Sequence, residues 1–136
     1  MVNKYGSNLS GKELMLFHGT SPENIEKIHA KGLNRSYAGG HGTAFGRGVY
    51  FARDANYSGR QRYSPPDSRG LRYMYYAKVL VGEYTQGNPN MIVAPSKNSG
   101  NPNETYDSVV NDVAKPSIYV LFQDYEYYTE YLITFK

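Results

Sequence analysis

Three short stretches carry the residues best able to do chemistry: "LFHGT", which reaches His18 and Gly19; "FGRGVYFA", which holds Tyr50; and "NYSGRQRYS", which holds Ser58 and Tyr63. A histidine is a directional donor and acceptor that titrates near neutral pH, and a glycine leaves the backbone open to close approach. Taken singly, these residues say little. A histidine at a strand end is more often a hydrogen-bonded structural residue, and turns use glycine constantly. Tyr50 and Tyr63 read alone as core tyrosines, Ser58 as a helix surface residue and "GRG" as a flexible turn. Arg47, Arg53, Arg60 and Arg62 read as solvated or weakly paired. With no cysteine in the chain there is no disulfide, no thiolate zinc site and no cysteine nucleophile.

The elements that must position these residues follow from pattern. Glu13 to Phe17 is a short apolar run ending in a turn signal, which predicts a buried strand. Thr20-Ser21-Pro22-Glu23 supplies a capping hydroxyl, a proline suited to the first helical position and an acid in the first turn. A helix over Pro22–Lys31 follows, with Ile25 and Ile28 on its apolar stripe and Gly32 as its stop. The polar, glycine-rich segment Asn34–Arg47 is long for a connection in a small domain, so it reads as functional. Gly48–Ala52 reads as a strand, and a short helix opened by an Asp54 cap follows it. Leu71–Tyr84 reads as one long strand, residues 85–104 as a loop, and Tyr106–Val110, Ser117–Phe122 and Tyr131–Phe135 as further strands. Few helices among many strands predict an α+β domain with a mainly antiparallel sheet. The 136 residues fit one domain with one core.

The net charge of +3 suits an anionic ligand, but the basic residues are dispersed rather than clustered as on a nucleic-acid-binding face. There is no signal-like N-terminal apolar segment and no run of about 18 apolar residues. A cytoplasmic or nuclear address and no membrane span are expected.

In order along the chain, "LFHGT", "GLNRS", "FGRGVYFARDANYS", "RYSPPDS", "VLVGEYTQG", "YDSVV" and "PSIYVLFQD" resemble the catalytic domain of the poly(ADP-ribose) polymerase family, within the diphtheria-toxin-like ADP-ribosyltransferase superfamily. The likeness is greatest to its intracellular mono-ADP-ribosyltransferases. It implies a split, mainly antiparallel sheet over residues 1–136 as one catalytic domain, shortened at its N-terminus and without a regulatory helical domain. It implies NAD+ as co-substrate and no metal. His18 resembles the histidine that bonds a ribose hydroxyl of the adenosine half, and Gly19 the glycine whose backbone grips the nicotinamide carboxamide. Replacing Gly19 by a bulky residue is expected to abolish NAD binding with the fold intact. Tyr50 resembles the triad tyrosine, Ser58 the serine that bonds the carboxamide oxygen, and Tyr63 the aromatic that stacks on the nicotinamide ring. Asn34, Arg35 and Ser36 match positions that contact the adenine ribose and phosphate, and the segment to Arg47 resembles the loop over the donor.

The third triad position in polymer-forming members is a glutamate that stabilises an oxocarbenium-like transition state and helps activate an acceptor hydroxyl. Here the matching residue is Ile118. The resemblance therefore implies a His-Tyr-Ile triad, transfer of a single unit, and an acceptor protein whose own Asp or Glu supplies the missing carboxylate. Aligning "EYLIT" instead would put Glu130 at the triad position, at the cost of displacing "SIYVLFQD" from its match. Two other readings of the same fold stand beside this one: a module that binds NAD or ADP-ribose without turnover, and transfer to nucleic-acid ends. A monomer is expected.

Overall fold

The computed structural model describes residues 13–31, 45–60, 63–93, 95–97, 104–122 and 127–136. Asn34, Arg35, Ser36, Arg62 and most of the glycine-rich segment lie outside the described residues. The elements are β1 (Glu13–Thr20), α1 (Pro22–Lys31), β2 (Val49–Ala52), α2 (Ala55–Ser58), β3 (Arg72–Leu80), β4 (Tyr84–Gln86), β5 (Ser108–Val110), β6 (Ile118–Leu121) and β7 (Tyr127–Phe135). The strands form one sheet in the order β4-β5-β6-β2-β1-β3-β7. Every pairing is antiparallel except β4 with β5. The expected α+β class and mainly antiparallel sheet are those observed.

The two halves of the sheet are joined by a short pairing. β1 follows β3 along its whole length, from Glu13 opposite Leu80 to Thr20 opposite Tyr73, whereas β1 and β2 pair only at Phe17 and Ala52. Beyond that point the two central strands part, so the split falls between His18 and Tyr50.

Side chains alternate between faces along each strand. Leu16, Val49, Phe51, Tyr75, Ala77 and Val79 are buried in one core with Ile28 of α1, and Ile25 packs against it. On the other face Ile118, Val120, Val109 and Phe122 form a second cluster, joined by Tyr50, Tyr57, Phe45 and Met91. Burying a side chain such as Phe51 stabilises by about 1.5–3 kcal/mol, so both faces contribute to holding β2 at the centre.

Several boundaries differ from expectation. β1 runs three residues further, through His18 and Gly19 to Thr20, because β3 supplies partners for all of them. The single strand expected over Leu71–Tyr84 is two. The chain leaves β3 after Leu80 and turns through Gly82, whose φ of 54° favours glycine. It must do so because β3 lies between β1 and β7 whereas β4 lies at the opposite edge. β7 starts at Tyr127, earlier than expected, since pairing with β3 outweighs its polar residues. Asp54 precedes α2 in extended conformation but makes no capping bond; its carboxylate is taken by Arg53, with Nε to Oδ1 at 3.3 Å and Nη2 to Oδ2 at 3.0 Å.

Candidate active site

The opening between β1 and β2 is bridged by a side chain. His18 is 6% exposed, and its Nδ1 lies 2.7 Å from the Tyr50 carbonyl oxygen. A carbonyl only accepts, so Nδ1 carries the proton and donates, which leaves Nε2 as an acceptor. Burial holds the imidazole pKa below its ordinary value, against the opposing pull of the Tyr50 bond. The ring is therefore neutral at physiological pH. Its Nε2 is buried and has no partner among the described residues, and the same holds for Thr20 Oγ1, two residues on along β1 and so on the same face. Buried polar atoms are almost always hydrogen-bonded, so two orphans on one face fit a ligand bearing hydroxyl groups.

Gly19 faces the opposite way, against the segment that follows α2. A Cβ built on it would stand 2.4 Å from the Ser58 carbonyl oxygen, 2.6 Å from Ser64 Oγ and 2.8 Å from the Tyr63 carbonyl oxygen. The end of β1 thus touches the chain that carries Ser58 and Tyr63, and only a residue without a side chain permits it. Any substitution must displace backbone, which corrects the expectation that a bulky residue at Gly19 would spare the local fold.

Ser58 is buried on α2, and its carbonyl accepts a 2.6 Å bond from Ser64 Oγ. That bond closes the turn and sets Tyr63 beside Tyr57, with ring centroids 4.8 Å apart, planes 25° apart and the Tyr57 hydroxyl donating to the Tyr63 hydroxyl at 2.9 Å. Tyr63 therefore enters the site as one member of a stacked pair. Tyr57, Thr20 and Ser64 were passed over by sequence reasoning. For Thr20 a signal existed, since it shares the strand face of His18; Tyr57 and Ser64 are marked out only by the folded turn.

On β2, the Tyr50 hydroxyl donates to the Gly46 carbonyl at 2.7 Å and accepts from the Phe45 N–H at 3.0 Å. Burial raises its pKa, so it stays protonated. Ile118 opens β6 opposite Ala52 of β2 and packs in the cluster that includes Tyr50 and Tyr57. Its neighbourhood is a cleft of about 610 Å³ lined by Phe17, Arg53, Tyr57, Arg60, Ser117 and Ile118, together with the residues at the start of α2. Glu130 is elsewhere. It lies on β7, four strands from β6 and so about 19 Å away across the sheet, where it pairs with Lys78 at 3.4 Å.

The folded chain therefore brings His18 to Tyr50, Gly19 to Ser58 and Tyr63, and Ile118 to Tyr50 and Tyr57. A family model, the poly(ADP-ribose) polymerase catalytic domain, matches residues 2–136. The chain belongs to that family, whose enzymes use NAD+ as co-substrate. Among curated proteins it is 48% identical over 136 residues to protein mono-ADP-ribosyltransferase PARP14 of Homo sapiens, a match covering 100% of this chain and 7% of that protein. It is 43% identical over 134 residues to protein mono-ADP-ribosyltransferase PARP12 of Homo sapiens, covering 98% of this chain and 18% of the relative. Protein mono-ADP-ribosyltransferase PARP11 of Homo sapiens is 38% identical over 143 residues, covering 90% and 41%. The chain thus spans less than half the length of each of these relatives.

Proposed function

We propose that this chain is an NAD-dependent mono-ADP-ribosyltransferase that moves one ADP-ribose unit to an Asp or Glu side chain of a protein acceptor. The observation that carries the reading is Ile118, beside Tyr50 in a cluster whose packing leaves an apolar group where a catalytic carboxylate would be needed. Bound NAD+ supplies the ADP-ribosyl group: its ribose–nicotinamide bond breaks, nicotinamide leaves with the electron pair, and an oxygen of the acceptor carboxylate forms the new bond.

The residues divide the work as follows. His18 is held by Tyr50 so that Nε2 accepts a ribose hydroxyl, with Thr20 beside it. Gly19 lets the end of β1 approach the Ser58 and Tyr63 segment, where the stacked tyrosines form a flat wall for an aromatic ring. Tyr50 ties the end of the glycine-rich segment to β2 through Phe45 and Gly46. Asn34, Arg35 and Ser36 are proposed as contacts to the adenine ribose and phosphate. Ile118 can neither hold nor deprotonate an acceptor hydroxyl, so a second unit is not added. A carboxylate acceptor is already deprotonated and needs no base. Asp54 lines the same cleft but is engaged by Arg53.

The remaining assignments rest on the family and on the expectations above: residues 1–136 acting as one catalytic domain, a monomer, no resident metal, and a cytoplasmic or nuclear address. Labelled NAD+ incubated with the chain and a protein acceptor, followed by mass spectrometry, is expected to give additions of one ADP-ribose on acidic side chains. Long polymer would overturn the reading of Ile118.

A further inference from the structure

We propose that Arg60 selects the acceptor, favouring a protein segment with a second acidic residue next to the modified one; this rests on the transferase reading above. The cleft that reaches Ile118 has an apolar floor of Phe17 and Ile118 and a polar rim that includes Arg53, Arg60 and Asp54. Two cations meet one carboxylate there. Arg53 is paired with Asp54 at 3.0 Å. Arg60 lies over the Tyr57 ring, its guanidinium carbon 4.9 Å from the ring centroid, and has no carboxylate partner among the described residues. A guanidinium laid on an aromatic face keeps its N–H edges for a planar anion, and the ring holds it in place. The rim thus carries one unbalanced positive charge beside the wall of the donor slot. An extended acceptor that places one carboxylate over Ile118 brings its neighbouring side chain towards Arg60, and a carboxylate there complements the charge. Donor phosphates are the other anions near the site. Of the residues given to the donor side, Gly19, Ser58 and Tyr63 do not line this cleft and Tyr57 does so beneath Arg60, so the acceptor is the better match.

The test measures binding by calorimetry in the absence of NAD+, using synthetic glycine–serine peptides that carry one glutamate, two adjacent glutamates, or a glutamate beside a lysine. The two-glutamate peptide is expected to bind about fivefold more tightly than the one-glutamate peptide, the scale of one favourable exposed ion pair. Arg60→Met, which keeps an apolar cover on Tyr57, should abolish that advantage, and Arg60→Glu should transfer it to the glutamate–lysine peptide. An advantage that survives in Arg60→Met, or no advantage in the unaltered chain, overturns the proposal. So does a loss of NAD+ affinity in Arg60→Met with the peptide preference intact, since the guanidinium would then serve donor phosphates. Because binding is read without turnover, an unaltered chain that shows the preference but transfers nothing counts against the transferase reading alone.

Discussion

At the scale of the residue, His18 is a neutral hydrogen-bonding group. Its Nδ1 is committed to the Tyr50 carbonyl and its ring is buried, so a proton on Nε2 costs more in the folded chain than in the unfolded one. The unfolded state then takes up the proton first as pH falls. The stability contributed by neutral His18 is full above its unfolded pKa and is lost as the pH drops through that value towards the lower folded one. Urea unfolding at pH 7.5 and 5.5 should show the chain less stable at the lower pH, by no more than about 1.4 kcal/mol per pH unit from this group. His18→Gln should remove that share of the slope, and an unchanged slope would mean that the ring is not buried neutral. Ser58 and Tyr63 work through their neighbours: the Ser64 bond fixes the turn that presents them, and Tyr57 holds the ring of Tyr63.

At the scale of the element, the contact that builds the site is the end of β1 against the turn after α2. Gly19 makes it, and a methyl group there meets backbone oxygen at 2.4 Å. Backbone in a closed turn cannot yield as a flexible side chain could, so Gly19→Ala should destabilise by about 1–3 kcal/mol and push Ser58 and Tyr63 out of place. A melting curve and NAD+ calorimetry check both effects; a variant with unaltered melting and unaltered affinity would refute this packing. The short α2 depends on the same contact. It has four residues and an Asp54 that caps nothing, so local sequence alone would not hold it. Strand identity was legible in "ELMLF" and "GVYFA", and the α1 start in "TSPE". The ends of β1, β3 and β7 were not, because partner strands decide where pairing stops.

At the scale of the whole molecule, the sheet order sets which residues meet. β6 comes late in the chain yet lies beside β2, which puts Ile118 in one apolar cluster with Tyr50 and Tyr57 and leaves Glu130 at the far edge. Ile118 is 8% exposed, so a carboxylate there would be largely desolvated. Ile118→Glu should cost at least about 2 kcal/mol at pH 7.5, and less at pH 5, because burial raises the new carboxyl's pKa and the proton it gains removes the charge. Equal penalties at both pH values in thermal melts would mean that the position is solvated. The motif order by itself pointed to the family and to the candidate residue types, since these depend only on which residues occur and at what spacing. Tertiary structure decided the pairing of Tyr57 with Tyr63, the orphaned Nε2 and Thr20 hydroxyl, and that Ile118 rather than Glu130 lies beside Tyr50. The first turns on the local bond of Ser64 to Ser58, and the others on distances between strands remote in sequence, which the strand order and the split at Phe17 and Ala52 set.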